Sequence, residues 1–224
     1  MNKKPKSSKL QDKIRRVKIN PEFPQPDLIG EAVQIIKKGG IVCFPTKCLY
    51  GLAADAFNFK AVSRIFQIKQ RPLDKPIPVL IKDPKELENL VSYVPPAAVR
   101  IMEKFWPGMV TIVFKAKDTL PANLTAKTGK IGVRIPENII ASALTNSLEN
   151  PITGTSANLS CNTGCSRFSE MHPMIAEKVD LILDAGPLKG GTGSTIVDVT
   201  TDPPRILREG DIPSKNIFDI ISRQ

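Results

Sequence analysis

Histidine is almost missing from this sequence: His172 stands alone among 224 residues. One imidazole excludes most chemistry built on paired histidines, whether as proton relays or as metal ligands. Cysteine is scarce too, with Cys43, Cys48, Cys161 and Cys165 as its only positions. Neither neighbouring pair has the two-residue gap of a zinc knuckle, so no metal site is expected. With no export signal, reduced thiols in a reducing, cytoplasmic setting are the expectation. Aromatic residues make up 5% of the chain, few for a surface that would stack nucleobases. No run of about 18 apolar residues occurs, so no membrane span is expected. The first twenty residues also lack the apolar stretch of a secretory leader. Among phosphate and nucleophile motifs, the segment from Gly186 to Thr195 imitates a P-loop but lacks its lysine. Neither G-x-G-x-x-G after a strand nor G-x-S-x-G is present.

Basic charge is plentiful but unevenly placed. Lys and Arg number 32 against 22 Asp and Glu, a formal net charge of +10. Residues 1–18 carry Lys3, Lys4, Lys6, Lys9, Lys13, Arg15, Arg16 and Lys18 against Asp12 alone, which leaves the other 206 residues at only +3. The chain thus divides into a basic, flexible N-terminal arm over 1–18 and one nearly neutral domain over 19–224. The arm allows two readings, a solvated terminus or a contact for RNA or another polyanion. Hydrophobic residues at 41% supply a sizeable core for the domain.

Helical and strand patterns alternate along that domain. Asp27 reads as the N-cap of a helix with Leu28, Ile29, Ala32, Val33, Ile35 and Ile36 inward, stopped by Gly39-Gly40. Strands are expected at 41–44, 78–81, 109–114 and 131–135, and later near 151–155, 180–184, 195–199 and 205–207. Helices are expected at 61–69, after Asp83-Pro84, at 96–105, at 137–148 and after Ser214. Without a fixed repeat, this order predicts a single α/β domain with a twisted mixed β-sheet flanked by helices.

Three places carry chemistry. Lys69, Arg71 and Lys75 cluster where a helix gives way to a loop stiffened by Pro72 and Pro76. That is either a preorganised polyanion site or, for Lys69, ordinary complementation of a helix C-terminus. Thr153-Gly-Thr-Ser-Ala-Asn158 follows a short strand, and its hydroxyls and amides suit phosphate oxygens, although a capped turn has the same composition. Arg134 sits among apolar strand neighbours, where a guanidinium needs an anion.

These segments resemble one family, the YrdC/Sua5/TsaC threonylcarbamoyl-adenylate synthases. Pro45-Thr-Lys-Cys-Leu-Tyr-Gly-Leu52 resembles the family's P-T-[DE]-T-x-Y-G-L block. Lys69-x-Arg71 with Ser156-x-Asn158 is similar to its bipartite K-x-R…S-x-N signature. Further blocks at 106–111, 132–136, 193–198 and 206–210 occur in family order between about residues 28 and 213. The resemblance implies a YrdC-like fold with a basic concave cleft, and a nucleotidyltransferase that joins L-threonine, bicarbonate or CO₂, and ATP. Its products would be threonylcarbamoyl-AMP and pyrophosphate, the first step of t⁶A formation at tRNA position 37. By the same resemblance Thr46 and Arg134 bind L-threonine, and Lys69, Arg71, Ser156 and Asn158 are catalytic. ATP would meet Lys69, Arg71, Lys75, Ser156, Asn158, Ser194 and Arg208, with Mg²⁺ held through the phosphates. Arg208 has a second reading as a structural ion-pair residue. A TsaD/Kae1-like t⁶A transferase is the implied downstream partner, with tRNA contact through the basic surface or arm.

The sequence departs from the family pattern at three positions: Lys47 replaces an acidic residue, Cys48 a threonine, and Leu80 a histidine. Two other classes remain in view at this level. One is a non-catalytic double-stranded-RNA-binding or ribosome-maturation protein of the same fold; the other is carbamoyl transfer to a different acceptor.

Overall fold

Glycine and proline divide the chain into short elements. The structure, a computed structural model, describes residues 14–222. In chain order the elements are β1 (Arg16–Lys18), α1 (Pro26–Lys37), β2 (Val42–Pro45), β3 (Tyr50–Ala53), α2 (Phe59–Lys69), β4 (Val79–Leu80), α3 (Leu87–Leu90), α4 (Pro96–Phe105) and β5 (Val110–Lys115). They continue as β6 (Lys130–Arg134), α5 (Ile139–Asn146), β7 (Ile152–Thr153), β8 (Thr155–Ser156), α6 (Pro173–Ala176), β9 (Leu181–Asp184), β10 (Thr195–Asp198), β11 (Arg205–Arg208) and α7 (Ser214–Ile221). Among the described residues no helix is long and apolar enough to cross a membrane.

The expected mixed α/β architecture is present, with two mixed sheets in place of one. The first has the order β1-β9-β2-β3-β8 and the second β11-β10-β5-β6-β4-β7. In the first sheet β9 runs parallel to both β1 and β2. Alternate residues of β2 serve different cores: Val42 and Phe44 pack with α1 and α5, and Cys43 with α2 and the second sheet. A strand buried on both faces reads as a continuous apolar run, which is why residues 41–44 are so uniformly hydrophobic.

The strand expected at 151–155 is broken at Gly154. Ile152–Thr153 joins β4 of the second sheet, and Thr155–Ser156 joins β3 of the first. At the crossing, the Gly154 amide donates to the Pro78 carbonyl at 2.7 Å, and a Cβ there would sit 2.8 Å from Leu80. Glycine is required by close approach rather than by an unusual dihedral angle.

Helix starts shift by one or two residues from the sequence reading. Pro26 opens α1 after Gln25, so Asp27 lies in the first turn, at the positive end of the dipole, instead of capping it. Asn138 caps α5, accepting from the Ile140 and Ala141 amides at 3.1 Å each, which moves the start from 137 to 139. The basic segment expected over 1–18 supplies β1 with its last three residues; positions 1–13 lie outside the described residues.

Candidate active site

Where the chain crosses between sheets lies a cleft of about 570 Å³, a volume suited to small molecules. Its walls are the hairpin turn with Thr46 and Leu49, the end of α2, segment 154–158, the polar loop 160–164, the glycine loop 191–194, and Arg208 on β11. Leu80, Met109 and Arg134 also line it.

Lys69 is the last residue of α2 and only 1% exposed. Gln70 follows in the left-handed region (φ 49°), which stops the helix. The Lys69 ammonium donates to the Ser156 carbonyl, to the Asn158 carbonyl at 2.7 Å and to Asn158 Oδ1 at 3.3 Å. Three protons meet three acceptors, the geometry of an ammonium. Burial, then the neighbouring Arg71 charge, pulls its pKa down to about 7. The Ser156 hydroxyl donates in turn to Asn158 Oδ1, and Asn158 Nδ2 donates to Leu159 O and Asn162 O. The two halves of the sequence signature, K-x-R and S-x-N, are therefore one bonded unit.

Arg71 is held by its own loop: Nε donates to Lys75 O at 2.9 Å and Nη2 to Pro76 O at 2.8 Å. These two carbonyls fix the guanidinium plane and leave further N–H donors for a ligand. Lys75 is not among the residues that line the cleft. Its side chain is exposed, and its backbone carbonyl supports Arg71; the ATP contact expected of its ammonium remains a proposal. Arg208 donates through Nε and Nη2 to the Ser194 carbonyl at 3.2 and 2.6 Å. Ser194 Oγ lies 2.8 Å from Thr111 Oγ1.

Arg134 ends β6 and is 9% exposed. Its Nε has no partner among the described residues, and Nη1 reaches a weak acceptor, Met109 Sδ at 3.8 Å. Burial pulls its pKa down to about 10, opposed by the charge of Glu137. An arginine buried with donors unused creates a strong demand for an anion. The cations also feel one another. Burial lowers Arg71 first, and Arg208 lowers it further; Arg208 acts on Arg134 in the same sense. Mutually repelling charges in one cleft favour a multiply charged anion as ligand.

Thr46 lines the cleft, with Oγ1 donating to Leu49 O at 2.6 Å. The three departures from the family pattern have visible partners. Lys47 pairs with Glu137 at 3.0 Å, Leu80 packs against Gly154, and Cys48 Sγ donates to Asp211 Oδ2 at 2.8 Å. Burial, then that bond, pushes the Cys48 thiol up to about 11, so it is no nucleophile at neutral pH. The sequence reading brought Thr46, Lys69, Arg71, Arg134, Ser156, Asn158, Ser194 and Arg208 to one cleft. It gave no role to Met109, although that residue lies in the 106–111 block, and it missed Asp211, which lies just beyond the 206–210 block.

The chain matches the Sua5/YciO/YrdC family, described as telomere recombination, over residues 34–210. It is 35% identical over 190 residues to a threonylcarbamoyl-AMP synthase of Pyrococcus abyssi, covering 85% of this chain and 56% of that one. A Bacillus subtilis relative of the same description is likewise covered over 56% of its length, so the chain spans little more than half of these two proteins. A putative threonylcarbamoyl-AMP synthase of Methanocaldococcus jannaschii is 37% identical over 208 residues, with 93% of this chain and 98% of that one covered. Among solved structures, Pyrococcus abyssi Sua5 complexed with L-threonine superposes with a TM-score of 0.85 at 33% identity, over 92% of this chain and 61% of that chain. With its ordered sequence blocks gathered in one cleft and these relatives alongside, the chain belongs to the Sua5/YciO/YrdC family.

Proposed function

We propose that this protein is a threonylcarbamoyl-AMP synthase. The observation that carries the reading is Arg134, a buried guanidinium with unused donors, in the same cleft as Arg71 and Arg208. A carboxylate meets the first and a triphosphate the others. L-Threonine fits that division, with its carboxylate on Arg134 and Thr46 beside it, and the relative crystallised with L-threonine supports the choice.

The chemistry is two steps. The threonine amine, losing a proton, bonds to the carbon of CO₂ and gives a carbamate; from bicarbonate the balance releases water. A carbamate oxygen then attacks the α-phosphorus of ATP, the bond to the bridging oxygen breaks, and pyrophosphate leaves with the electron pair. No covalent enzyme intermediate is needed, which suits a chain with one histidine. The protein supplies position and charge: Arg71, Ser194 and Arg208 toward the phosphates, and Ser156 and Asn158 held in place by Lys69. Mg²⁺, a hard cation that keeps several of its waters, would come to the site with the triphosphate. The adenylate is a reactive mixed anhydride, which fits hand-over to a t⁶A transferase acting on tRNA in the cytoplasm.

The test is pyrophosphate release that requires both L-threonine and bicarbonate, with label from bicarbonate appearing in a threonine–AMP adduct. Release indifferent to threonine overturns the reading, and carbamoyl phosphate replacing bicarbonate and threonine would mark a carbamoyltransferase. An RNA-binding role is not favoured, because the cations line a small cleft instead of an open stripe.

A further inference from the structure

One side of the cleft is formed by the glycine loop at 191–193, and Cys48 and Asp211, which hold it, do not line the cleft. We infer that Asp211 is a positioning residue for the oligophosphate end of the site, holding the glycine loop in its ligand-facing shape with Cys48 as its anchor. The inference rests on the synthase reading only in naming the phosphate as that of ATP.

The contacts converge on one carboxylate. Asp211 Oδ1 accepts from the Thr192 amide at 2.9 Å and from Thr192 Oγ1 at 3.0 Å. Oδ2 accepts from Cys48 Sγ at 2.8 Å. The backbone closes the same frame: the Asp211 amide donates to Gly193 O at 2.8 Å, and the Gly190 amide to Cys48 O at 3.0 Å. The loop is thus pinned at 190, 192 and 193 to two segments distant in sequence.

The loop requires such pins. Gly190, Gly191 and Gly193 all have positive φ, at 77°, 127° and 82°. Glycine-rich chain has more conformations to lose than any other, so its backbone holds one shape only when outside bonds favour it. At Gly191 a Cβ would fall 2.8 Å from Asp211 Oδ1, so the carboxylate's own approach demands glycine there. Cys48 is fully buried, and its raised pKa keeps it an S–H donor at neutral pH. Asp211 feels burial, which would raise its pKa, yet the bonds from Cys48 and Thr192 hold it below the ordinary carboxylate range. An ionised acceptor facing these donors gives the stronger, charge-assisted form of each bond. Asp211 itself does not line the cleft, so its role is to shape the loop and not to touch the ligand.

The experiment compares wild type with Asp211→Ala, Cys48→Ala and Cys48→Ser. Calorimetry measures affinity for a non-hydrolysable ATP analogue, for tripolyphosphate and for L-threonine, and thermal midpoints are recorded alongside. Removing two bonds to the loop and the Cys48 anchor should weaken both phosphate probes by about tenfold or more in Asp211→Ala. Threonine affinity should stay within about twofold, because Arg134 is placed by β6 and Thr46 by its own bonds to Leu49 O. Cys48→Ala should shift phosphate affinity in the same direction by less, and Cys48→Ser, which still donates, should restore it. Equal loss for threonine and phosphate, or unchanged phosphate affinity, overturns the role of Asp211. If Asp211→Ala does not fold, the Cys48→Ala and Cys48→Ser pair decides alone, and a serine that fails to restore affinity overturns it. Wild type that binds tripolyphosphate but lacks threonine-dependent pyrophosphate release would overturn the synthase reading and leave Asp211 in place. Wild type that binds neither phosphate probe overturns both.

Discussion

Arginine and lysine are often treated as one kind of phosphate ligand, yet each cation here is held differently. Arg134 is buried with donors unused; Arg71 is fixed along one edge by carbonyls; Lys69 has every proton engaged. Arg134→Met should therefore separate stability from activity. Replacing a buried unpaired charge by an apolar side chain should raise stability by about 1 kcal/mol. Threonine-dependent turnover should fall about 100-fold or more, seen as a lost saturation curve beside a raised urea midpoint. Lys69 carries a pH signature. Its folded pKa of about 7 lies below the ordinary lysine value. Between those values the unfolded chain binds the extra proton, so this residue's contribution to stability rises with pH from near 7 upward and is lost as pH falls through it. Lys69→Met should flatten that slope in urea titrations from pH 6 to 9. The same change leaves the carbonyls of Ser156 and Asn158 unpaired, at about 1–3 kcal/mol. The sequence marked these side chains as cations, but the partners that settle their roles are not local. Lys69 meets Asn158 across 89 positions, and nothing in its own neighbourhood forecasts a lysine with no donor to spare.

Elements with long periodic patterns were readable, and so were short strands such as β2, β9 and β10; β1 and β3 were not. α1, α2 and α4 lie within a residue or two of expectation because helical periodicity and end signals leave little choice, and β5 and β6 do so as apolar runs of strand length. β1, of three residues, was hidden in a basic segment; its Arg16 and Lys18 are exposed, and Arg16 Nε reaches Asp184 at 2.8 Å. β3 was unread because Tyr50-Gly51-Leu52-Ala53 is buried throughout and so shows no alternation. The split of 152–156 between sheets has a single local cause, Gly154. Gly154→Ala places a Cβ against Leu80 and should cost about 1–3 kcal/mol by overpacking. Leu80→Ala in the same chain should return part of that loss. A double-mutant cycle that proves additive would show that the two positions do not press on one another.

For the molecule as a whole, the bulk charge of +10 misleads. The cations with chemical consequence sit inside one cleft of a nearly neutral body, whereas the densest basic stretch precedes β1. Removing residues 1–13 should leave threonine-dependent turnover within about twofold. Removing 1–18 also deletes β1 and the Arg16–Asp184 pair and should lower the thermal midpoint. RNA affinity that persists after the first deletion, with a steep salt slope, would show that the basic segment is not what holds RNA.

The crossing at Gly154 has one more consequence. The cleft lies along the seam of the molecule: Tyr50 and Ser156 belong to the first sheet, and Arg134 and Ser194 stand at strands of the second. A substrate that spans them adds a removable link between two sheets that already share a core. Ligand present at about 100 times its Kd adds about 2.7 kcal/mol to stability. ATP and L-threonine together should therefore raise the unfolding midpoint and slow exchange of the amide protons that border the cleft on both sheets.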